Sequence, residues 1–166
     1  MVGVAELRRR LGNRQRVTRQ AALGPLAASD TVVPAGAVLE LDATLEAIFD
    51  GVVATGTLSM PWQGPCRRCL TTVTGVARTE LREMFGPDPV EGETFPLVGD
   101  HIDLEPLMRE TALLSLPLAP LCDERCRGPV PDAFPTEPEV AVDAGDNAEP
   151  AGDPRWGALD ELRFDR

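Results

Sequence analysis

Four cysteines in two closely spaced pairs are the residues of this chain best suited to chemistry. Cys66 and Cys69 form a C-x-x-C within Gly64-Pro65-Cys66-Arg67-Arg68-Cys69-Leu70, and Cys122 and Cys126 form a C-x-x-x-C within Leu121-Cys122-Asp123-Glu124-Arg125-Cys126-Arg127-Gly128. Flanking Gly and Pro place each pair in a tight turn. Two such turns can bring four sulfurs to one tetrahedral ion, so a structural zinc site is expected at Cys66, Cys69, Cys122 and Cys126. Four thiolates leave Zn2+ with a net charge of about -2. Arg67, Arg68, Arg125 and Arg127 stand beside the sulfurs, where they offset that charge and lower the thiol pKa values. A filled shell of four thiolates has no open position for substrate, which points to structure rather than catalysis.

Two other readings of the same cysteines stay open. One is unliganded thiols. The other is redox chemistry at Cys66 and Cys69, because Trp62-Gln63-Gly64-Pro65-Cys66 echoes the W-C-G-P-C of thioredoxins with Gln63 at the first cysteine position. That motif opens a helix within a βαβ unit, whereas the segment here follows a hairpin. Other catalytic signals are sparse. His101 is the one histidine, no G-x-S-x-G accompanies it, and its expected place is a loop or helix start. The absence of lysine excludes a phosphate-binding G-x-x-x-x-G-K-[ST]. Among 27 acids no spacing selects a carboxylate pair.

The elements that must position the cysteines are legible around them. Leu39, Leu41, Ala43, Leu45, Ala47 and Phe49 alternate with Glu40, Asp42, Thr44, Glu46 and Ile48, a strand with one apolar face. Asp50-Gly51 favours a two-residue turn, after which Val52, Ala54, Gly56, Leu58 and Met60 continue the apolar phase. That turn would pair Phe49 with Val52, Ala47 with Ala54, Leu45 with Gly56, Ala43 with Leu58 and Leu41 with Met60. A third strand, exposed or at an edge, is expected within residues 70–85. Residues 86–100 are rich in Pro, Gly and acids and read as a loop. Asp103 then caps a helix over Leu104, Leu107, Met108 and Thr111, which ends near Leu116 before Pro117. Asp153-Pro154 opens a short terminal helix with Trp156 and Leu159 on one side.

Charge bounds the partners. The 166 residues carry 16 basic side chains, all arginine, against 27 acids, a formal charge of -11. Residues 1–20 nevertheless hold six arginines against Glu6, while residues 129–166 hold three against ten acids. An acidic body repels phosphate, so nucleic acid would have to meet Arg8, Arg9, Arg10, Arg14, Arg16 and Arg19, with Arg67 and Arg68 at the first cysteine pair. No run approaches the roughly 18 apolar residues of a membrane span. The segment after Arg10 lacks the apolar stretch of a signal peptide, so a cytoplasmic, thiol-reducing location is expected, without membrane contact.

Taken in order, these motifs resemble one family. Arg8-Arg9 with Gly12 and the Arg16-Val17-Thr18-Arg19 run, Cys66-Arg67-Arg68-Cys69-Leu70, Asp103-Leu104-Glu105-Pro106, Leu116-Pro117-Leu118-Ala119-Pro120-Leu121-Cys122 and Asp153-Pro154-Arg155-Trp156 resemble the YceD proteins in their actinobacterial form. Members commonly continue after the second cysteine pair as G-L-C-P-x-C-G; this chain has Gly128-Pro129-Val130-Pro131-Asp132-Ala133-Phe134 instead. The resemblance implies a non-enzymatic role in the accumulation or maturation of 23S ribosomal RNA and in large-subunit assembly. Its implied partners are that RNA or its precursor and large-subunit ribosomal proteins. An acidic adaptor for a basic ribosomal protein is the alternative, with a C-x-x-C thiol oxidoreductase behind it.

The expected fold is α+β: an antiparallel sheet built on a long hairpin, one main helix, a short C-terminal helix and the two cysteine turns. The expected domains are a basic arm and lead-in over residues 1–37, a core over 38–128, an acidic Pro-rich linker over 129–153 and the terminal helix over 154–166.

Overall fold

The structure is a computed structural model in which residues 1–130 and Ala133 are described. Most of the expected linker and the whole expected terminal helix lie outside those residues. In chain order the elements are β1 (Val2–Gly3), α1 (Ala5–Arg8), β2 (Arg14–Ala21), β3 (Leu26–Ala28), β4 (Thr31–Val33), β5 (Leu39–Ile48), β6 (Gly51–Pro65), β7 (Thr72–Gly86), β8 (Phe95–Val98), β9 (His101–Ile102) and α2 (Leu104–Ser115).

The long β6 organises the sheet. It pairs along its whole length with β7, from Val52 opposite Phe85 to Pro65 opposite Thr72. Its other side is shared: β5 covers Gly51 to Ser59, and β4 takes over at Gln63. Beyond β5 lies β2 as the edge, and beyond β7 come β8, β9 and β1. Alternation decides the faces. Leu39, Leu41, Ala43, Leu45 and Ala47 of β5 are buried with Val52, Ala54, Leu58 and Met60 of β6. Each large member of that set contributes about 1.5–3 kcal/mol relative to exposure. Leu104, Leu107, Met108 and Ala112 of α2 close over the same core. Asp103 caps α2 by accepting from the Glu105 amide at 3.1 Å, and extended backbone at Leu116 ends it before Pro117.

The expected fold class needs correction. The described residues form a nine-stranded mixed sheet with only two helices, of four and twelve residues, and β8 runs parallel to β7. A simple antiparallel hairpin with helices does not describe it. Five of the missed strands are two to four residues long, too short for alternation to show, and the eight-residue β2, inside the expected basic arm, is largely exposed and carries no apolar face. One of them, β8, lies inside the stretch read as a loop, where Phe95 stacks obliquely on Phe85 with ring centroids 5.5 Å apart. His101 stands in β9. Residues 1–37 hold β1 to β4 and α1, and bury Val2, Val4, Leu7, Leu23, Leu26 and Val33.

The hairpin turn also differs. Ile48 faces Gly51 and Ala47 faces Val52, so the two loop residues are Phe49 and Asp50, and Phe49 is 89% exposed. A slip of two residues keeps every side chain on its face, which is why the apolar pattern could not detect it. Gly51 is held out of the turn by β7: a Cβ there would collide with the carbonyl oxygen of Phe85.

Candidate metal centre

The first cysteine pair is the tip of the β6–β7 hairpin. After the final pairing of Pro65 with Thr72, the chain reverses through residues 66–71. The Cys66 amide donates to the Thr71 carbonyl at 2.8 Å, and the Leu70 amide donates back to the Cys66 carbonyl at 2.9 Å. Leu70 takes a left-handed conformation, φ 63°, to close this turn. The Arg68 amide points at Cys66 Sγ, 3.5 Å away.

The second pair follows α2 on a segment without regular structure, fixed at several points. The buried Thr31 hydroxyl donates to the Pro117 carbonyl at 2.7 Å, and the Arg67 amide donates to the Pro120 carbonyl at 2.9 Å. Asp123 then makes a tight turn, accepting the Arg125 amide on Oδ1 at 2.7 Å and the Cys126 amide on its carbonyl at 3.0 Å. The Arg68 guanidinium crosses between the turns and donates to the Glu124 and Cys126 carbonyls at 3.1 and 2.8 Å.

These restraints bring all four sulfurs within 4.8 Å of one another. Cys66 Sγ lies 3.9 Å from Cys126 Sγ, and Cys69 Sγ lies 3.6 Å from Cys122 Sγ. A tetrahedron with Zn–S bonds of about 2.3 Å has edges of about 3.8 Å. The donor set therefore fits zinc in both ligand type and spacing, and none of the four thiols is in a disulfide. Zinc held there would carry no substrate and would lock two turns together.

Protonation follows from the same contacts. The amides of Cys69, Cys122 and Arg68 push the Cys66 thiol down to about 6. The Thr71 hydroxyl and amide lower that of Cys69. Cys122 is pushed up to about 12 by its hydrogen bonds to the sulfurs of Cys126 and Cys69, which hold its proton in place. Four adjacent thiolates need a cation, and binding one expels the remaining protons. The thioredoxin echo finds no matching geometry: Trp62 lies in β6 opposite Gly75, and its pair of cysteines caps a hairpin, not a helix.

The structure places the candidate RNA-contacting arginines apart. Arg67 and Arg68 share the cysteine turns. Arg8 donates to Asp100 and the Gly99 carbonyl at 3.0 and 3.1 Å, and Arg9 pairs with Glu6 at 2.7 Å. On β2, Arg14 pairs with Glu46 at 3.0 Å, and Arg16 grips Asp42 through two bonds of 2.9 and 2.6 Å. Those bonds hold the Asp42 carboxyl below its ordinary range. Arg19 donates to the Met1 carbonyl at 2.9 Å. Arg10 is exposed, with no side-chain partner among the described residues. Sequence reading missed Thr31, which no motif marks, and Thr71, whose position directly after the C-x-x-C turn was the available signal.

Over residues 54–163 the chain matches the profile of the family described as large ribosomal RNA subunit accumulation protein YceD. The match begins in β6 and includes both cysteine pairs. An uncharacterized protein of Mycobacterium bovis is 36% identical over 134 residues, covering 76% of this chain and 63% of that protein. An uncharacterized protein of Mycobacterium tuberculosis matches to the same extent, and one of Mycobacterium leprae is 31% identical over 104 residues, 58% of this chain and 48% of its own length. The chain thus spans less than two thirds of the length of these curated relatives. No solved structure matches.

Proposed function

We propose, from the premise that this chain belongs to the YceD family of large ribosomal RNA subunit accumulation proteins, that it is a non-enzymatic factor supporting accumulation of 23S ribosomal RNA in the cytoplasm. The observation that carries this reading is that the family match runs through both cysteine pairs, and those pairs form a closed four-sulfur cluster. A closed cluster suits a factor that binds and stabilises. It offers zinc no vacant position for water or substrate.

In this reading zinc is structural, and the partner is 23S ribosomal RNA, its precursor or a large-subunit precursor particle. Depleting the chain from its host is expected to lower 23S relative to 16S ribosomal RNA, and restoring it returns the ratio. A ratio unchanged by depletion sinks the reading. Crosslinking followed by recovery of partners separates direct RNA contact from the adaptor alternative, in which acidic residues of the body hold a basic ribosomal protein.

A further inference from the structure

The arginines differ in what holds them. Arg8, Arg9, Arg14, Arg16 and Arg19 are committed to acids or carbonyls of the chain itself, so each would have to leave a partner to meet a phosphate. The cysteine turns are different. Arg67 and Arg125 are exposed, and their backbones are fixed, by the amide bonds to the Pro120 carbonyl and to Asp123 Oδ1. Their guanidinium groups have no partner among the described residues.

The metal cluster sets how these two groups stand to each other. Arg67 is adjacent in sequence to Cys66, and Arg125 to Cys126, and those are the two sulfurs 3.9 Å apart. One ion holding both sulfurs therefore holds both arginine backbones. The same two segments carry exposed apolar side chains, Leu70 and Leu118, each 71% exposed. Two cations with fixed backbones beside apolar surface match a strand that alternates phosphate with base and sugar.

We propose that the paired cysteine turns are a metal-dependent docking surface for single-stranded RNA, with Arg67 and Arg125 meeting phosphates and Leu70 and Leu118 meeting base or sugar faces. This rests on the reading of the chain as an RNA accumulation factor and moves the contact from the N-terminal arginines to the metal centre. Arg78 and Arg82 are also exposed, but they lie along β7 opposite Ser59 and Thr55, away from the cysteine turns and with Glu80 between them.

The test uses the full zinc-loaded chain and a fluorescently labelled single-stranded RNA of mixed sequence, with affinity read by anisotropy across a salt series. The Arg67→Gln/Arg125→Gln double variant keeps the backbone bonds and one zinc per chain. It is expected to bind at least tenfold more weakly, with the slope of log affinity against log salt shallower by about 1.4, the loss of two single-strand phosphate contacts. An Arg10→Gln/Arg78→Gln/Arg82→Gln control is expected to stay within about twofold of the parent, since these groups sit away from the cluster. Removing zinc is expected to weaken binding as the double variant does.

Parent-like binding by the double variant overturns the docking surface, and so does loss of binding in the control alone. Both results leave the accumulation role standing, because that role is read from the 23S ratio on depletion. Recovery of a basic protein through Arg67 and Arg125, with no RNA bound by the parent, overturns the choice of RNA.

Discussion

The backbone amide of Arg67 donates to the carbonyl of Pro120 at 2.9 Å, fastening the first cysteine turn to the chain that leads into the second. This bond involves neither sulfur nor metal. Cys122 lies two residues beyond Pro120, so the approach of the two turns is set by main-chain hydrogen bonding, and the Arg68 guanidinium repeats the link further along. These hydrogen bonds and a metal held by the four sulfurs would share the ordering of the two turns.

Thr31 anchors the start of that segment from the opposite side. Its side chain is fully buried, and its hydroxyl is the donor to the Pro117 carbonyl. Thr31→Val keeps the shape and removes the donor, losing a part-buried hydrogen bond at a cost of about 0.5–1.5 kcal/mol. The urea midpoint of the zinc-loaded chain is expected to fall accordingly, while zinc stoichiometry stays at one. An unchanged midpoint would mean that the hydroxyl carries no share of the anchoring.

Leu70 closes the first turn in the left-handed region at φ 63°. A non-glycine residue there costs about 1–2 kcal/mol, and its exposed side chain recovers little by packing. Glycine removes the strain but adds unfolded-state freedom worth about 0.5–1 kcal/mol. Leu70→Gly is expected to raise the thermal midpoint slightly, and Leu70→Val to lower it through its branched Cβ. If both substitutions lowered it equally, strain would not be what limits this position.

How much of this could be read in advance depended on element length. The ten residues of β5, the first half of β6 and the twelve residues of α2 carry enough repeats for alternation and capping to declare them, and the cysteine spacing announced four ligands. The two-residue β1 and β9 carry no period at all. The glycine of Asp50-Gly51 looked like a turn residue because sequence displays its freedom but not its neighbour; the Phe85 carbonyl, 34 residues away, is what requires it. The arginines likewise looked like a free basic arm, since the acids that hold them, Glu46 and Asp42 on β5 and Asp100 before β9, are distant in the chain.

Gly51→Ala tests that close approach. The new Cβ would meet backbone, which cannot swing aside, so β6 and β7 must part where Val52 and Phe85 are buried. A loss of about 1–3 kcal/mol is expected from such overpacking. Asp50→Ala, in the exposed loop, is expected to change the urea midpoint little. Equal effects from the two variants would return the turn to Asp50-Gly51.

The Arg16–Asp42 pair predicts a pH dependence. Arg16 holds the folded Asp42 carboxyl below its unfolded value, so its stabilisation is present above the unfolded pKa, about 3.9, and is lost as pH falls through the folded one. Both side chains face solvent and salt screens them, so the effect is small. Asp42→Asn is expected to flatten the decline of the urea midpoint below about pH 4, at low salt most clearly. A parent-like acid limb would show that the ion pair adds nothing to the fold.

Metal removal separates the cluster from the fold that carries it. The sheet core, from Leu39 to Met60 with α2 above it, is assembled without the cysteine turns. The chain beyond Pro117 depends instead on Thr31, Arg67, Arg68 and the sulfurs. Chelation is therefore expected to release one zinc and leave far-ultraviolet circular dichroism nearly intact. Amide hydrogen exchange should rise in residues 66–71 and 116–128 while 39–60 stay protected. Because metal-bound thiolates compete with protons, falling pH should release zinc, and rebinding at neutral pH should expel protons, including that of Cys122. A purified, reduced chain that takes up no zinc, or one whose whole sheet unfolds when the ion leaves, would break this separation.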